Sequence, residues 1–424
     1  MTTPMSFDDR PPDGGPRYRV QPTSSGSAKP FIALSAVGAA LGAVFSAVST
    51  SDFISHLDRQ VHSIHCSFIP GAAAELGESG CRTVMMSPFS SLLRESLWGG
   101  LPISLLAVAV FAYLAMHSAR LLVSSTPVTK NDSLYLVAAG LLPVLMSVVY
   151  GYIAVYKIGA VCKLCIGVYV SSGTILLGAV LAHLKAEPVP AVPAPLGQYA
   201  RQFGEGVLYV AILAAFYVLF LPSQPESLKG CGTLVKKDDS GIMIPMGGGR
   251  GGTPAIAVVD PLCPACKGFD ERMRAGDLYQ KLSIQAVLFP LDATCNWMVK
   301  DSLHHGACAV SEAMLCDKEG AEEMLDWAFT NQAELRDIAK EDDNKIRQRI
   351  EQQFPKVKGC LGSPKIKNQL NKSLRWAVSN ALPVLTPQLF IGDKRVCDED
   401  TDLGLEYTVA QMLQGDSARP LRSR

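Results

Sequence analysis

The sequence predicts a multi-domain protein in which an all-α transmembrane four-helix bundle and a fifth linking span precede an α/β domain with a helical insertion. Charged residues make up 18% of the 424 residues, below the roughly 25% usual in soluble domains. Five apolar stretches lack charged residues, and a Cys-x-x-Cys motif directly follows a strand-like run. Lys plus Arg equal Asp plus Glu at 39 each, so no basic excess favours a nucleic acid as partner.

The five apolar stretches have about the length that a helix needs to cross a lipid bilayer, roughly 20 residues. The first follows a polar lead and lacks a small-residue cleavage pattern, so we expect a retained span and not a signal peptide. The fifth is the shortest and ends before Pro222. The predicted spans are Phe31–Thr50, Leu97–Ala119, Leu134–Tyr156, Leu164–Ala182 and Gly206–Leu221.

The distribution of Arg and Lys predicts the orientation in the membrane. These residues occur before the first span, after the second span and after the fourth span. Because short cytoplasmic segments carry an excess of Lys and Arg, the N-terminus is predicted to be cytoplasmic. An odd number of spans then places the chain after Pro222 outside, on the same side as the loop over residues 51–96.

Composition marks the boundaries between the units. Residues 187–195 are rich in proline, which favours an extended linker over a helix. Residues 247–252 are rich in glycine, but no Gly-Lys-Ser/Thr follows, so a flexible tether is expected and not a phosphate-binding loop. The predicted order is a cytoplasmic tail (1–30), the bundle (31–185), a linker (186–204), the fifth span (205–222), a tether (223–252), the α/β domain (253–416) and a tail (417–424).

Strand-like runs flank a long helical segment in the α/β domain. After the second run, about eighty residues through Trp376 place apolar side chains at helical spacing. A final helix is predicted over Thr401–Leu413. The predicted strands are Pro254–Asp260, Leu282–Phe289, Gln388–Ile391 and Lys394–Cys397.

The motif Cys263-Pro-Ala-Cys266 begins a helix directly after the first of these strands. Unpaired N–H groups and the dipole at a helix N-terminus stabilise a thiolate. Cys263 is therefore the predicted nucleophile and Cys266 the resolving cysteine. Half of a zinc site is the alternative, but the strand and helix context favours redox chemistry.

Two further cysteine pairs lie on the same predicted side of the membrane. Cys162-Lys-Leu-Cys165 begins the fourth span, where the helix N-terminus and Lys163 would favour a thiolate. Two buried structural cysteines are the alternative at these positions. Cys66 and Cys81 lie in the outer loop before the second span, from which they can reach both other pairs.

Four features of the membrane region occur in a distinctive order: Cys66, then Cys81-Arg-Thr-Val-Met-Met-Ser87, then Trp98-Gly-Gly-Leu-Pro102, then Cys162-x-x-Cys165 with Tyr169 one helical turn beyond. This order resembles the vitamin K epoxide reductase family, in the bacterial form fused to a thioredoxin-like domain. In the other quinone-linked disulfide generator of bacteria, the Cys-x-x-Cys precedes the separated pair. The 14 residues between the two loop cysteines exceed what the family leads us to expect.

Residues 253–413 resemble the thioredoxin superfamily. The resemblance rests on the Cys-Pro-Ala-Cys motif and on Leu385-Thr-Pro-Gln388 before a strand, which matches the cis-proline loop. The long helical insertion resembles that of DsbA. By this resemblance Pro387 is cis, and the backbone of Thr386 holds a substrate peptide beside Cys263.

The resemblance to the vitamin K epoxide reductase family implies a relay of electrons. Cys165, deeper in the bundle, would react with a membrane quinone, ubiquinone or menaquinone. Cys162 would exchange with Cys81, and Cys66 would exchange with Cys263. The implied partners are exported proteins with reduced cysteines and the lipid bilayer, and the implied location is the bacterial inner (plasma) membrane with the thioredoxin-like domain in the periplasm.

Four residues of the membrane region have alternative interpretations. Tyr169 matches a tyrosine whose hydroxyl contacts a quinone carbonyl, or it is an interfacial aromatic anchor. Ser87 lines the same pocket, or it caps a helix. His62 and His65 would tune the Cys66 thiol, or they are ordinary surface histidines. His304 and His305 are interpreted as loop residues without metal-ligand spacing.

Six remaining cysteines are expected to stabilise the domain outside the cytosol: Cys231, Cys295, Cys308, Cys316, Cys360 and Cys397. Their connectivity does not follow from the sequence. One pairing is excluded, because two cysteines eight residues apart on one helix are separated by about 12 Å of helical rise, which is beyond disulfide reach. These two are Cys308 and Cys316.

Three functions follow as hypotheses. The first is a membrane thiol-disulfide oxidoreductase that makes disulfides in exported proteins and reduces a quinone. The second runs the same relay in reverse and supplies reductant for isomerisation or cytochrome maturation. The third is a membrane-anchored chaperone whose cysteines are structural.

Overall fold

The computed structural model describes residues 27–57, 64–69, 79–187, 196–220, 231–236, 241–247 and 252–417. Within these ranges, five helices are long and apolar enough to cross a membrane. A short sixth helix, α2, lies in the loop between the first two. The helices are α1 (Lys29–His56), α2 (Gly80–Met86), α3 (Ile103–Val123), α4 (Lys130–Tyr152, continued as a π-helix over Ile153–Ile158), α5 (Lys163–Lys185) and α6 (Leu196–Phe220).

Helices α1, α3, α4 and α5 form the predicted four-helix bundle, with α1 packed against both α3 and α5 and α4 packed against α5. Helices α1 and α5 cross closely at Gly178, where a Cβ would lie only 2.5 Å from the hydroxyl oxygen of Ser35. Small residues allow such approaches between membrane helices. Helix α6 lies outside the bundle against α3, where the Tyr113 hydroxyl donates to the Gln202 carbonyl at 2.6 Å.

Two predicted boundaries were wrong. The second span begins at Ile103 and not at Leu97, because Leu101–Pro102 forms strand β2, which pairs with β1 (Ser91–Leu92). The fifth helix begins at Leu196, within the predicted linker 186–204. The hydroxyl of Tyr199 donates to the carbonyl of Asn131 on α4, so tertiary contacts extend the helix. The proline-rich residues 188–195 lie outside the described ranges.

The C-terminal domain contains the predicted α/β fold with its helical insertion. Its five-stranded sheet has the order β3-β5-β4-β6-β7. Strand β4 is central and lies parallel to β5 and antiparallel to β6. The strands are β3 (Ile244–Pro245), β4 (Thr253–Val259), β5 (Leu282–Leu288), β6 (Gln388–Ile391) and β7 (Lys394–Arg395).

The helices of this domain surround the sheet. Helix α7 follows β4, α8 leads into β5, five helices form the insertion between β5 and β6, and α14 ends the described chain. Their bounds are α7 (Pro264–Ala275), α8 (Leu278–Lys281), α9 (Ala307–Cys316), α10 (Ala321–Thr330), α11 (Gln332–Glu341), α12 (Asp343–Gln353), α13 (Pro364–Ser379) and α14 (Leu405–Ser417).

The predicted tether 223–252 was wrong for the part that the structure describes. Ile244 and Pro245 pair with β5 as an edge strand of the sheet, and Cys231 forms a disulfide with Cys397. Residues 231–236 and 241–247 therefore belong to the C-terminal domain. A two-residue strand and a disulfide partner 166 residues away leave no local pattern in the sequence. Residues 221–230, 237–240, 248–251 and the C-terminal residues 418–424 lie outside the described ranges, as does most of the predicted N-terminal tail.

The pairing of the remaining cysteines is now defined. Cys295 is joined to Cys308, and Cys316 is joined to Cys360. Cys308 and Cys316 lie on the same helix, α9, and are not joined to each other. The exclusion derived from helical rise is therefore confirmed.

Candidate active site

The loop cysteines Cys66 and Cys81 form a disulfide, with Cα atoms 5.7 Å apart. Cys81 lies in the first turn of α2, where the Ser79 side chain accepts the backbone N–H of Arg82 at 3.2 Å and caps the helix. A Cβ at Gly80 would overlap the carbonyl oxygen of Val161. Glycine at this position therefore allows α2 to pack directly against the turn that precedes α5.

The second pair begins α5 beyond that turn. Cys162 is the N-cap of the helix, and its Sγ accepts the backbone N–H of Cys165 at 3.2 Å. Both cysteines are free, Cys162 buried and Cys165 half-buried. Cys162 lies in one hydrophobic cluster with the disulfide of Cys66 and Cys81, and Cys165 packs against that cluster. The fold thus brings together two of the three predicted redox pairs.

A cavity of about 500 Å³ opens beside these cysteines within the membrane bundle. Its volume lies in the range typical of small-molecule sites, about 300–1,000 Å³. Most of the wall is apolar, with contributions from α1, α3, α4 and α5. The predicted site residues in the wall are Cys81, Ser87, Cys162, Cys165 and Tyr169.

The two hydroxyls of this wall differ in their local roles. Ser87 follows the last residue of α2, and its Oγ donates to the Val84 carbonyl at 2.7 Å. It therefore both lines the cavity and caps the C-terminal end of the short helix. Tyr169 lies one turn after Cys165 on the same cavity wall. An apolar cavity with a few polar groups is typical of a site for a small, largely apolar molecule.

The Cys-Pro-Ala-Cys motif occupies the N-terminus of α7, as predicted. Cys263 is the N-cap, and its Sγ lies 3.6 Å from the carbonyl oxygen of Thr386. The Thr386–Pro387 peptide bond is cis, which confirms that prediction. A hydrogen bond from Cys266 lowers the pKa of Cys263 to about 7, against the opposing effect of burial. Burial raises the pKa of Cys266 well above its ordinary value.

A buried acid, Asp260, lies beside this motif and was not predicted from the sequence. Asp260 follows β4, and its carboxylate accepts the backbone N–H groups of Leu262 at 2.8 Å and Leu291 at 2.7 Å. The Nδ1 atom of His304 lies 2.8 Å from the same carboxylate. His304 was interpreted as an ordinary loop residue. A charged residue at the end of an otherwise apolar strand, three positions before Cys263, was the available signal for Asp260.

A second acid and histidine pair lies at the membrane cavity. Asp52, near the end of α1, accepts the backbone N–H of His65 at 3.0 Å, and its other oxygen lies 2.7 Å from His65 Nδ1. Asp52 also lines the cavity. This contact places His65 against the end of α1. Asp52 was missed as well, although an acidic residue at the end of a span is a functional signal by itself. His62 lies outside the described ranges.

The two domains meet at α2 and the loop that follows it. Arg272, near the end of α7, donates to the carbonyls of Met86 at 2.7 Å and Ser87 at 3.2 Å. The same guanidinium pairs with Glu406 of α14 at 3.1 Å. The indole N–H of Trp98 donates to Asp400 at 3.3 Å. The thioredoxin-like domain therefore contacts the helix that contains Cys81.

Residues 33–180 match the model of the vitamin K epoxide reductase family. The chain carries a vitamin K epoxide reductase family domain. This domain holds Cys66, Cys81, Cys162 and Cys165, and it precedes the α/β domain with its own Cys-x-x-Cys and cis-proline loop. Such a combination indicates a thiol-disulfide oxidoreductase.

Two solved structures of Proteus mirabilis ScsC are similar to this chain. A linker-deletion mutant shares 18% identity and covers 53% of this chain and 99% of its own, with a TM-score of 0.30. ScsC in a transitional conformation shares 17% identity and covers 52% of this chain and 94% of its own, with a TM-score of 0.28. A comparison with curated proteins found no significant match.

Proposed function

We propose that the protein generates disulfide bonds in exported proteins and transfers the electrons to a membrane quinone, ubiquinone or menaquinone. One observation carries the proposal: Cys81 of the outer-loop disulfide and the free pair at the start of α5 line one apolar cavity. The proposed path of electrons runs from Cys263 and Cys266 through Cys66 and Cys81 to Cys162 and Cys165.

The first step oxidises the substrate at the thioredoxin-like domain. A substrate thiolate attacks Sγ of oxidised Cys263, the bond to Cys266 breaks, and Cys266 leaves as a thiolate that takes up a proton. The second substrate thiolate then attacks the mixed disulfide, and Cys263 leaves. The substrate loses two electrons and two protons as its disulfide forms. Thr386 and Pro387, beside Cys263, are the proposed contacts for the substrate peptide.

Reoxidation follows the same exchange chemistry in the membrane domain. The thiolate of Cys263 attacks the loop disulfide at Cys66, the bond to Cys81 breaks, and Cys81 leaves as a thiolate that takes up a proton. Cys266 then attacks Cys263, and Cys66 leaves as the second thiolate. The reduced loop is then oxidised by the disulfide of Cys162 and Cys165, through a bond between Cys162 and Cys81. The hydrophobic cluster that contains these loop cysteines and Cys162 makes this second exchange a short-range event.

A quinone bound in the cavity would accept two electrons and two protons and so restore the disulfide of Cys162 and Cys165. The residues that would hold it are those of the described wall. Cys165 lines the cavity from α5, and the hydroxyl of Tyr169 is the proposed hydrogen-bond donor to a quinone carbonyl. Ser87, whose hydroxyl donates to the Val84 carbonyl, lines the same wall. The apolar remainder of the wall would exclude water and accommodate the lipid-soluble chain.

The proposed direction depends on compartment. Five membrane-crossing helices with a cytoplasmic N-terminus would place both the loop and the thioredoxin-like domain in the periplasm, where newly exported proteins carry reduced cysteines. A lipid-soluble oxidant on that side favours net oxidation, provided that the reduction potentials follow the same order.

Quinone reduction by the purified full chain in detergent tests the proposal. With a reduced dithiol peptide as donor, the wild type should convert quinone to quinol with one peptide disulfide formed per quinol. Cys165→Ala should abolish quinone reduction while Cys263 still exchanges with the peptide. Val170→Ala, at an exposed position of the same helix, is the matched control and should behave as wild type.

Near-normal quinone turnover in Cys165→Ala would contradict the assignment of the deep thiol. If quinol instead drives reduction of an oxidised peptide faster than the forward reaction, the relay runs reductively. A wild-type chain that neither oxidises nor reduces the peptide would favour a structural role for the cysteines.

A further inference from the structure

The residues between Cys263 and Cys266 carry no charge. They are Pro264 and Ala265, so a positive side chain that stabilises the Cys263 thiolate must come from outside the motif. The helix N-terminus provides only partial charges. In the described part of the chain, the loop after β5 brings such a side chain to the motif.

That loop holds His304 by a chain of contacts to Asp260. The backbone N–H of Leu291 donates to the Asp260 carboxylate at 2.7 Å. The Leu291 carbonyl in turn accepts the backbone N–H groups of Leu303 at 3.0 Å and His304 at 3.2 Å. The imidazole then lies 2.8 Å from the same carboxylate. Backbone and side chain together thus define the position of His304.

Asp260 connects this histidine to the motif. Its side chain is fully buried, and its backbone carbonyl accepts the N–H of Cys263 at 3.2 Å. Its backbone N–H donates to Sγ of Cys266 at 3.4 Å. A buried carboxylate is stabilised by hydrogen bonds and by a positive partner, because an unpaired charge in a low-dielectric site is strongly destabilised. His304, with Nδ1 2.8 Å from the carboxylate, is placed to be that partner when its imidazole is protonated.

The charges that face His304 come from three elements. They are Asp260 after β4, Cys263 at the start of α7 and Arg336 of α11. Burial lowers the pKa of His304, but the hydrogen bond and charge of Asp260 outweigh it, and the net pKa is raised above the ordinary value. The charge of Asp260 raises the pKa of Cys263, and the charge of His304 opposes it with a smaller effect, so loss of His304 would leave the charge of Asp260 unopposed by the imidazolium.

We propose that His304, positioned by Asp260, is the positive charge that stabilises the thiolate of Cys263 and so makes the motif a stronger oxidant. The proposal deepens the proposed function and rests on it. When the second substrate thiolate attacks the mixed disulfide, the bond between the substrate sulfur and Cys263 breaks, and the electron pair stays on Cys263. The imidazolium stabilises this leaving thiolate without transferring its proton.

A titration of the wild-type full chain tests the interaction directly. With isotope-labelled histidine in detergent-solubilised protein, His304 should titrate at higher pH when Cys263 is reduced than when it is in a disulfide, because only the reduced form carries the thiolate charge. Equal titration midpoints in the two redox states would overturn the proposal. This measurement requires no substitution and no quinone.

A substitution provides the second test. In His304→Gln, the pH midpoint for alkylation of Cys263 by iodoacetamide should rise by about one unit, so alkylation at pH 6 should be about tenfold slower. Mass spectrometry of the Cys263 peptide separates this thiol from the others. His305→Gln, on the neighbouring loop residue, is the matched control and should keep the wild-type midpoint.

An unchanged midpoint in folded His304→Gln would overturn the proposal. Folding is checked by protection of the disulfide of Cys316 and Cys360, and if the variant does not fold, the wild-type titration decides. Neither readout depends on quinone turnover. A wild type that fails to reduce quinone therefore contradicts the proposed function. The alkylation and titration results test separately whether His304 stabilises the Cys263 thiolate.

Discussion

Removal of Arg272 is expected to weaken the contact between the two domains. Both Arg272 and Glu406 are 1% exposed, so Arg272→Met leaves the Glu406 carboxylate buried and the carbonyls of Met86 and Ser87 without their donor. Arg272 and Glu406 both belong to the C-terminal domain, so the free energy of docking depends on the hydrogen bonds from Arg272 to the two carbonyls of the membrane region. A hydrogen bond to a charged group contributes about 1.5–3 kcal/mol. With Arg94 still 3.4 Å from Glu406, we expect a loss of about 3 kcal/mol.

A loss of this size corresponds to a change of about 150-fold in the equilibrium between docked and undocked domains, since about 1.4 kcal/mol is a factor of ten. Hydrogen–deuterium exchange of the full chain in detergent measures it. The amides of α2, which contains Cys81, should exchange faster in Arg272→Met. Arg274→Met is the matched control, because Arg274 is 41% exposed and exposed ion pairs contribute about 0–1 kcal/mol.

The stranded charge can be tested separately. A second substitution, Glu406→Leu, removes the carboxylate that has lost its closest partner in the Arg272→Met background, so the double variant should recover part of the lost protection. Unchanged exchange of α2 in the single variant would refute the interface argument. A double variant no better protected than the single one would refute the argument from the buried charge.

Three further predictions concern the relay, the insertion and the topology. Cys266→Ala should accumulate a covalent link between Cys263 and Cys66 under non-reducing mass spectrometry, because the resolving thiol is absent; a link to Cys162 instead would exclude the loop as shuttle. Replacing both Cys316 and Cys360 by serine should lower the free energy of unfolding by about 4 kcal/mol, because the disulfide closes a loop with a sequence separation of 44 and so reduces the entropy of the unfolded chain. Urea unfolding of the full chain measures this loss, and a loss below about 1 kcal/mol would contradict the prediction. A reporter fused to the C-terminus should be active only in the periplasm, and cytoplasmic activity would contradict the orientation.

The membrane helices could be predicted from the sequence because their determinant is local. A segment that crosses the bilayer must be apolar over its whole length whatever it packs against, and the five predicted spans reappear as five helices. The position of Cys263 at a helix N-terminus was equally local, since a buried strand, two cysteines and a proline are adjacent in the chain.

Contacts between distant segments had to come from the tertiary structure. Cys231 and Cys397 are 166 residues apart, and neither position carries a signal for the other. His304 becomes a candidate functional residue only because the loop after β5 folds back and brings its imidazole to Asp260, 44 residues earlier. The sequence alone thus determined which segments form long apolar helices and where the two Cys-x-x-Cys motifs lie. Folding decided which charges and thiols face one another, because those interactions depend on distance in space and not on separation along the chain.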